Sequence, residues 1–213
     1  WGGIYATHMR NEGTGIFDSL NETFTIASEA KLPVEISHIK LSGNNAWGKS
    51  KEVLSRIDKA RKGGIEVHCD QYAYTASSTS IGANLIPDWM REGGNRRFNE
   101  RLANADDKAK AVKEMTDYVK KRGVPDYSYA VIASCNWKPE LNGKSVKEAS
   151  QIIRGADSLS DQIELILTIE SHGGASGVFH GMSEDDLRSF MRDSNVMVAS
   201  DSSIRVLGED VPH

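Results

Sequence analysis

The chain has 213 residues, 38% of them hydrophobic and 26% charged, which is typical of one globular domain with a sizeable core and excludes a disordered segment. Its formal net charge of −4 and its lack of a basic block argue against nucleic acid as a partner. No apolar run approaches the roughly 20 residues that a membrane helix needs, and no signal peptide is recognisable, so we expect a cytoplasmic protein without a membrane partner.

The first third of the sequence alternates strand-like and helix-like segments. Short β-branched or alternating runs predict strands at 4–8, 34–40 and 65–70. Apolar residues at helical spacing predict one helix over 16–31 and another that Ser50 caps. Single helices between strands predict right-handed βαβ units and a parallel sheet. Polar residues close each strand, as they do at the ligand-facing end of a (β/α)8 barrel or an open α/β sheet.

The middle of the chain, at about 75–160, breaks this rhythm, and we interpret it as an insertion on the barrel face. It contains a charged helical stretch at about 106–122, a strand-like run at 127–133 and a further helix after Lys144. The alternation then resumes: 161–171 is helical, Ser183 caps a helix that runs to about Met191, and 196–201 is strand-like. The sequence starts and stops without an obvious opening or closing element, which indicates a part of a longer protein.

Two histidines occupy matching positions, one βα unit apart. His8 and His38 each lie three or four residues from the start of a predicted strand, after a small hydroxyl residue and two residues before a cation, Arg10 or Lys40. Two imidazoles at the same end of adjacent parallel strands can converge on one divalent ion, and neutral imidazole suits Zn²⁺. The alternative is that each histidine is an isolated polar residue. Lys40 could bind a substrate carboxylate, whereas for Arg10 a solvated charge is the favoured interpretation.

Three further side chains have a chemical interpretation. Asp201 ends the last predicted strand and could accept a proton from water and return it to a leaving amine, although Ser-Asp also starts many loops. Tyr72 and Tyr74 have alternate spacing, and one of the two phenols could donate to a developing oxyanion. His68 is a weaker candidate for a third ligand, because it falls earlier in its strand.

Five ordered segments resemble the N-acyl-D-amino-acid deacylases (D-aminoacylases) of the amidohydrolase superfamily. They are YATHMRNEG at 5–13, ISHIK at 36–40, WGKS at 47–50, DQYAY at 70–74 and SD at 200–201. The final residues, 211–213, also look like the opening of that family's His-Pro-Arg segment. Two positions depart from the family pattern: Ala73 replaces the usual proline, and Ser202 stands where glycine usually follows Ser-Asp.

The resemblance implies a (β/α)8 metal-dependent hydrolase of which 1–213 is the C-terminal part, about strands five to eight. It implies zinc-dependent hydrolysis of the linear amide bond of a small N-acyl-D-amino acid, which releases a carboxylate and a D-amino acid. In this family a cysteine from an early strand and a His-x-His pair complete the metal site. Neither is present in this chain, so the resemblance implies that the N-terminal half of the barrel lies elsewhere in the full-length protein.

The resemblance also assigns roles to individual residues. His8 and His38 would be the zinc ligands, Lys40 and Tyr72 would contact the substrate, and Asp201 would be the catalytic acid and base. Two alternatives stay open: another amidohydrolase, acting on cyclic amides or dipeptides as dihydropyrimidinases and dipeptidases do, or a catalytically silent, truncated domain.

Overall fold

The computed structural model describes residues 2–202, which form two compact units. The first unit comprises residues 2–75 and 181–202, and the second unit comprises 76–180. The second unit begins where the insertion is predicted to begin and continues to residue 180. Residues 211–213, which resemble part of a family motif, lie outside the described residues.

The first unit begins with alternating strands and helices. Its elements are β1 (Tyr5–Thr7), α1 (Ile16–Ala30), β2 (Val34–Ile36), α2 (Ser50–Lys62) and β3 (Val67–Gln71). Helix α1 buries Ile16, Leu20 and Ala27 on one face, which is the spacing expected for an amphipathic helix. It ends at Lys31, whose backbone is left-handed (φ 53°), and Pro33 follows.

The second unit combines helices with a small antiparallel sheet. Its elements are β4 (Ala76–Ser80), α3 (Ile81–Leu85), α4 (Asp88–Arg91), α5 (Gly94–Ala103), α6 (Ala105–Arg122), β5 (Ala130–Ser134), α7 (Val146–Arg154), α8 (Leu159–Ser171) and β6 (Ser176–His180). The strand order is β4-β6-β5, and both pairings are antiparallel. Asn104 caps α6, and Ser145 with Glu148 forms a capping box on α7, so local sequence sets these helix starts.

The chain then returns to the first unit with α9 (Glu184–Met191) and β7 (Val196–Val198). The sheet order is β1-β2-β3-β7, and every pairing is parallel. The predicted parallel α/β arrangement is therefore confirmed. None of the helices within residues 2–202 is both long and apolar enough to cross a membrane.

The two faces of the parallel sheet differ in chemistry. Val34, Ile36, Val67 and Cys69 are buried in one core cluster, together with apolar residues of α1 and α2. The side chains between them, Glu35, His68, Asp70 and Met197, alternate onto the other face and are less buried. One face of the sheet is thus an apolar core against helices, and the other carries polar and charged groups.

The return segment is tied to the first half of its unit through backbone groups. The Thr75 carbonyl accepts hydrogen bonds from the amides of Gly181 and Met182, at 3.4 and 3.2 Å. The Gly181 carbonyl accepts from the amide of Gly43 at 2.7 Å and from the indole of Trp47 at 3.0 Å. The positions at which the chain leaves and re-enters the first unit are therefore adjacent.

Several element boundaries differ from prediction. Strand β2 ends at Ile36 rather than Lys40, because His38 has a left-handed backbone (φ 41°) that a strand cannot continue through. The last strand stops at Val198 rather than Asp201, and the strand predicted at 127–133 is a 3₁₀ turn, Tyr127–Tyr129, followed by β5. Strands β4 and β6 were not predicted, because serine, threonine and glycine dominate them.

Ser50 does not cap α2. It is the first residue of the helix, and Lys49 at the cap position provides no side-chain hydrogen bond. The buried carboxylate of Asp186 in α9 takes over this role, since it accepts hydrogen bonds from the amides of Gly48 (2.8 Å) and Ser50 (3.3 Å). A cap from a distant residue leaves no local sequence signal.

Candidate metal centre

The candidate centre lies just beyond the C-terminal ends of β1 and β2. These strands pair in parallel with Thr7 opposite Ile36, so His8 and His38 follow at the same end of the sheet. His8 Nδ1 lies 2.7 Å from His38 Nε2, and the ring centroids are 4.6 Å apart at 69°. The structure therefore brings the two predicted ligands together. Their role as zinc ligands stays a prediction.

The backbone of His38 is held in an unusual conformation. Its amide donates to Asp70 Oδ1 at 2.7 Å, and its carbonyl accepts from Lys40 Nζ at 2.7 Å. Among residues 2–202, the non-glycine residues with positive φ are Lys31, His38 and Asp201. Lys31 ends a helix, where this conformation is common. The other two are predicted site residues, and backbone strain of this kind concentrates at functional sites.

Glu12 is a member of the cluster that the sequence reasoning missed. Its Oε1 lies 3.1 Å from His38 Nδ1 and 2.6 Å from Lys40 Nζ, and its side chain is only 11% exposed. Ligand atoms of His8, Glu12 and His38 all lie within 4.8 Å of one another. The one available signal was its place in the YATHMRNEG segment, four residues after His8. Because Glu12 lies in a loop, no helix or strand periodicity indicates where its side chain points.

Lys40 is buried, at 5% exposure. Its Nζ donates to Glu12 Oε1 at 2.6 Å and to the His38 carbonyl at 2.7 Å, and it lies 2.6 Å from His38 Nδ1, which accepts a hydrogen bond only in the tautomer that leaves Nδ1 unprotonated. Burial lowers the pKa of Lys40, and the negative charge of Glu12 opposes this. Substrate binding by Lys40 stays a prediction.

Glu12 and Lys40 form a buried ion pair. Burial raises the pKa of Glu12, but the hydrogen bonds and charges of His38 and Lys40 more than compensate and hold that pKa below its usual value. The carboxylate is therefore ionised at neutral pH and can accept hydrogen bonds from both neighbours. Removing either charge would leave the other buried without a partner.

Tyr72 and Asp201 border the same cluster. Tyr72 is buried, its ring centroid lies 6.3 Å from that of His38, and its hydroxyl has no hydrogen-bond partner within the described chain. Burial raises the pKa of Tyr72, so this hydroxyl stays protonated and can donate. Asp201 is exposed. Burial lowers the pKa of His8 and of Lys40 and raises that of Tyr72; the negative charge of Asp201 opposes the first two shifts and adds to the third. Their roles in substrate binding and proton transfer stay predictions.

Other sequence candidates lie outside the cluster. Arg10 is solvent-exposed and pairs with Glu22 on α1, as expected for a solvated charge. His68 contacts Glu66 at 3.0 Å and does not join the group of His8 and His38 among the described residues. Tyr74 is 63% exposed. Both cysteines, Cys69 and Cys135, are free thiols buried in apolar cores.

The two imidazoles fit a zinc ion with a small adjustment. Tetrahedral zinc with Zn–N bonds of about 2.0–2.1 Å places two ligand nitrogens roughly 3.3 Å apart. The separation of 2.7 Å between His8 Nδ1 and His38 Nε2 is shorter, so the rings would move slightly apart around an ion. His8 is exposed as a residue, yet partial enclosure of its ring lowers its pKa, which favours the neutral, ligating form.

Asp70, which holds the His38 amide, is itself paired with a second carboxyl group. Burial and a hydrogen bond with Asp70 raise the pKa of Glu35 to about 7, from an ordinary value of 4.5. Below pH 4.5 Glu35 is protonated whether the chain is folded or unfolded, so it does not affect stability. Between pH 4.5 and 7 only the unfolded chain releases the proton, and the folded state is progressively penalised.

We therefore expect Glu35→Gln to raise the thermal unfolding temperature at pH 8 and to leave it nearly unchanged at pH 4.5. Glutamine preserves the shape but cannot ionise, so it escapes the penalty. Glu29→Gln, an exposed position on α1, is the matched control and should show no such pH dependence. An equal effect of Glu35→Gln at both pH values would contradict this assignment.

Comparison with known proteins places this geometry in context. No protein-family model matches the chain. Over 85 residues, 40% of this chain and 17% of the relative, the sequence is 48% identical to a D-aminoacylase of Alcaligenes xylosoxydans xylosoxydans. The aligned part of the chain thus spans about a sixth of that curated relative.

Solved structures extend the likeness over most of the chain. D-aminoacylase, described as defining a novel subset of amidohydrolases and elsewhere as having a binuclear metal centre, matches with a TM-score of 0.64 and 27% identity. The match covers 92% of this chain and 32% of that one. N-acyl-D-glutamate deacylase of Bordetella bronchiseptica, at 23% identity and a TM-score of 0.63, shares the fold. In sequence and in fold, the chain is similar to part of the D-aminoacylases, which are hydrolytic enzymes of the amidohydrolase superfamily.

Proposed function

We propose that this chain is part of a zinc-dependent amidohydrolase that cleaves the amide bond of N-acyl-D-amino acids into a carboxylate and a D-amino acid. One observation supports this most directly: His8, His38 and Glu12 converge at the C-terminal end of a parallel sheet. That end is where α/β hydrolytic enzymes place their reactive groups. The related D-aminoacylase has a metal centre, which is consistent with a metal at this position.

In this proposal His8 and His38 provide imidazole ligands for one zinc ion. A zinc ion held there would supply Lewis acidity, which lowers the pKa of water and polarises a carbonyl oxygen. Catalytic zinc sites commonly have three protein ligands, and the described residues offer two histidines. We therefore propose that the remaining ligands, and the strands that close a (β/α)8 barrel, come from an upstream part of a longer protein.

The other residues act on the substrate. Asp201 accepts the proton of the attacking water and then returns it to the departing amine, which is general base followed by general acid catalysis. The Tyr72 hydroxyl, buried without a partner in the described chain, donates to the carbonyl oxygen as negative charge develops on it. A cytoplasmic location completes this proposal and stays a prediction.

The test compares the chain with a version extended upstream to the length of its relatives. Zinc per chain is measured after dialysis, and release of free amino acid is measured on N-acetyl-D-amino acids with apolar and acidic side chains. The L-enantiomers serve as substrate controls. We expect stoichiometric zinc and D-selective release in the extended protein, and weak zinc binding without turnover in the chain alone.

Three outcomes would contradict the proposal or a part of it. An extended protein that binds zinc but does not release D-amino acids would point to another amidohydrolase substrate, such as a cyclic amide or a dipeptide. An extended protein that binds no zinc would favour a catalytically silent domain. Full activity of the chain alone would show instead that residues within it complete the metal site.

A further inference from the structure

His38 Nδ1 lies within hydrogen-bond distance of two groups that require opposite protonation states of this nitrogen. Lys40 Nζ, 2.6 Å away, is a donor and requires an unprotonated Nδ1. Glu12 Oε1, 3.1 Å away, is an acceptor and requires a protonated Nδ1. In a neutral imidazole, the nitrogen that lacks the proton is the one with a free lone pair, so these two neighbours favour different tautomers.

The choice of tautomer decides whether His38 can bind a metal. If Lys40 donates to Nδ1, the ring proton sits on Nε2, which then donates to His8 Nδ1 at 2.7 Å and has no lone pair to offer. If Nδ1 is protonated and donates to Glu12, the lone pair of Nε2 points toward His8 and is available. The nitrogen nearest His8 is therefore a ligand in only one of the two tautomers.

We propose that Glu12 is a positioning residue that selects the metal-binding tautomer of His38 by accepting its Nδ1 proton. This inference rests on the proposed zinc site. Carboxylates that accept the second ring proton of a ligating histidine fix its tautomer and orientation and raise its basicity. Glu12 is suited to this role because its side chain is buried and its Oε1 is already paired with Lys40 Nζ at 2.6 Å.

The alternative is that Glu12 binds the metal directly, since its carboxylate is within 4.8 Å of the histidine nitrogens. The contacts favour the positioning role. Its Oε1 contacts Nδ1 of His38, the ring nitrogen that does not face His8, and the same oxygen accepts from Lys40 Nζ at 2.6 Å. Glu12 Oε1 therefore lies on the Nδ1 side of the His38 ring, away from the nitrogen that would bind the metal.

The test uses the upstream-extended protein and compares Glu12→Gln with the double variant Glu12→Gln/Lys40→Met. The double variant removes both members of the buried ion pair, so it leaves no uncompensated charge that could unfold the protein. Glu22→Gln, the same chemical change at a half-exposed glutamate paired with Arg10, is the matched control. Zinc affinity is measured by competition with a chelator, and the His38 ring protonation by ¹⁵N NMR of labelled histidines.

In the wild type we expect zinc-bound His38 to have a protonated Nδ1. Glu12→Gln should weaken zinc binding roughly 10–100-fold, the usual cost of losing such a partner, while saturating zinc restores the wild-type stoichiometry. The loss should persist in the double variant, and Glu22→Gln should behave as wild type. The visible spectrum of the Co²⁺-substituted protein should not change in Glu12→Gln, because no ligand is lost.

Two results would overturn the inference while the proposed function stands: wild-type zinc affinity in both Glu12 variants, or a Co²⁺ spectrum in Glu12→Gln that reports an altered coordination number. The second of these would identify Glu12 as a ligand. A wild-type protein that binds no zinc would instead overturn the proposed function, and this inference with it.

Discussion

Replacing His38 with asparagine should abolish stoichiometric zinc binding by the upstream-extended protein. His38 provides the nitrogen nearest His8, and His8 would be left as the single histidine ligand from this chain. Loss of a ligand should cost more than the roughly 10–100-fold expected for a partner of a ligand. Asparagine tolerates the left-handed backbone at this position, so the loop should keep its shape. Zinc per chain after dialysis is the measurement.

His68→Asn is the matched control for this prediction. His68 is also a histidine of the parallel sheet, but its side chain is 45% exposed and contacts Glu66. We expect it to retain full zinc content and activity. If His68→Asn lost zinc and His38→Asn did not, His68 rather than His38 would have to be the zinc ligand.

Replacing Asp201 with asparagine should leave zinc binding intact and reduce the turnover rate roughly 10²–10⁴-fold, the usual contribution of general acid and base catalysis. Asparagine has nearly the same shape and tolerates the positive φ of 54° at this residue, so the change removes the proton acceptor without forcing the backbone to move. The measurement is kcat on an N-acetyl-D-amino acid, together with zinc content.

Asp185→Asn, at an exposed position in the first turn of α9, is the control for the change from acid to amide. It should retain wild-type kcat and zinc content. An Asp201→Asn enzyme with full activity would assign the proton transfer to another group, whereas one that had lost its zinc would indicate that Asp201 contributes to metal binding.

The parallel sheet could be predicted from sequence because its signals are local and periodic. Apolar spacing located α1 and α2, the capping serine Ser183 located α9, and strand-like runs located the cores of β1, β2 and β3. Strands β4 and β6 lack such a signal, because their serine, threonine and glycine residues form a strand only through pairing with distant segments. The cap of α2 by Asp186 is likewise a tertiary contact.

Some residues of the candidate centre could also be predicted from sequence, and others could not. His8 and His38 could be paired from their equivalent positions on adjacent strands, because parallel strands align their C-terminal ends. Glu12 and the left-handed backbone of His38 could not, since both depend on how loops fold over the strand ends. The contacts of Lys40 with Glu12 and with the His38 carbonyl also could not be read from sequence, and they show that Lys40 is a bound cation rather than a free one.

The adjacency of Thr75 and Gly181 has an evolutionary consequence. The intervening 76–180 segment departs from and returns to a single point that is fastened by backbone hydrogen bonds, which require no particular side chain. A segment attached in this manner can lengthen, shorten or be exchanged between descendants with little entropic cost of loop closure and without changing the order of the parallel strands. Such changes leave the strand ends that carry the two histidines in place.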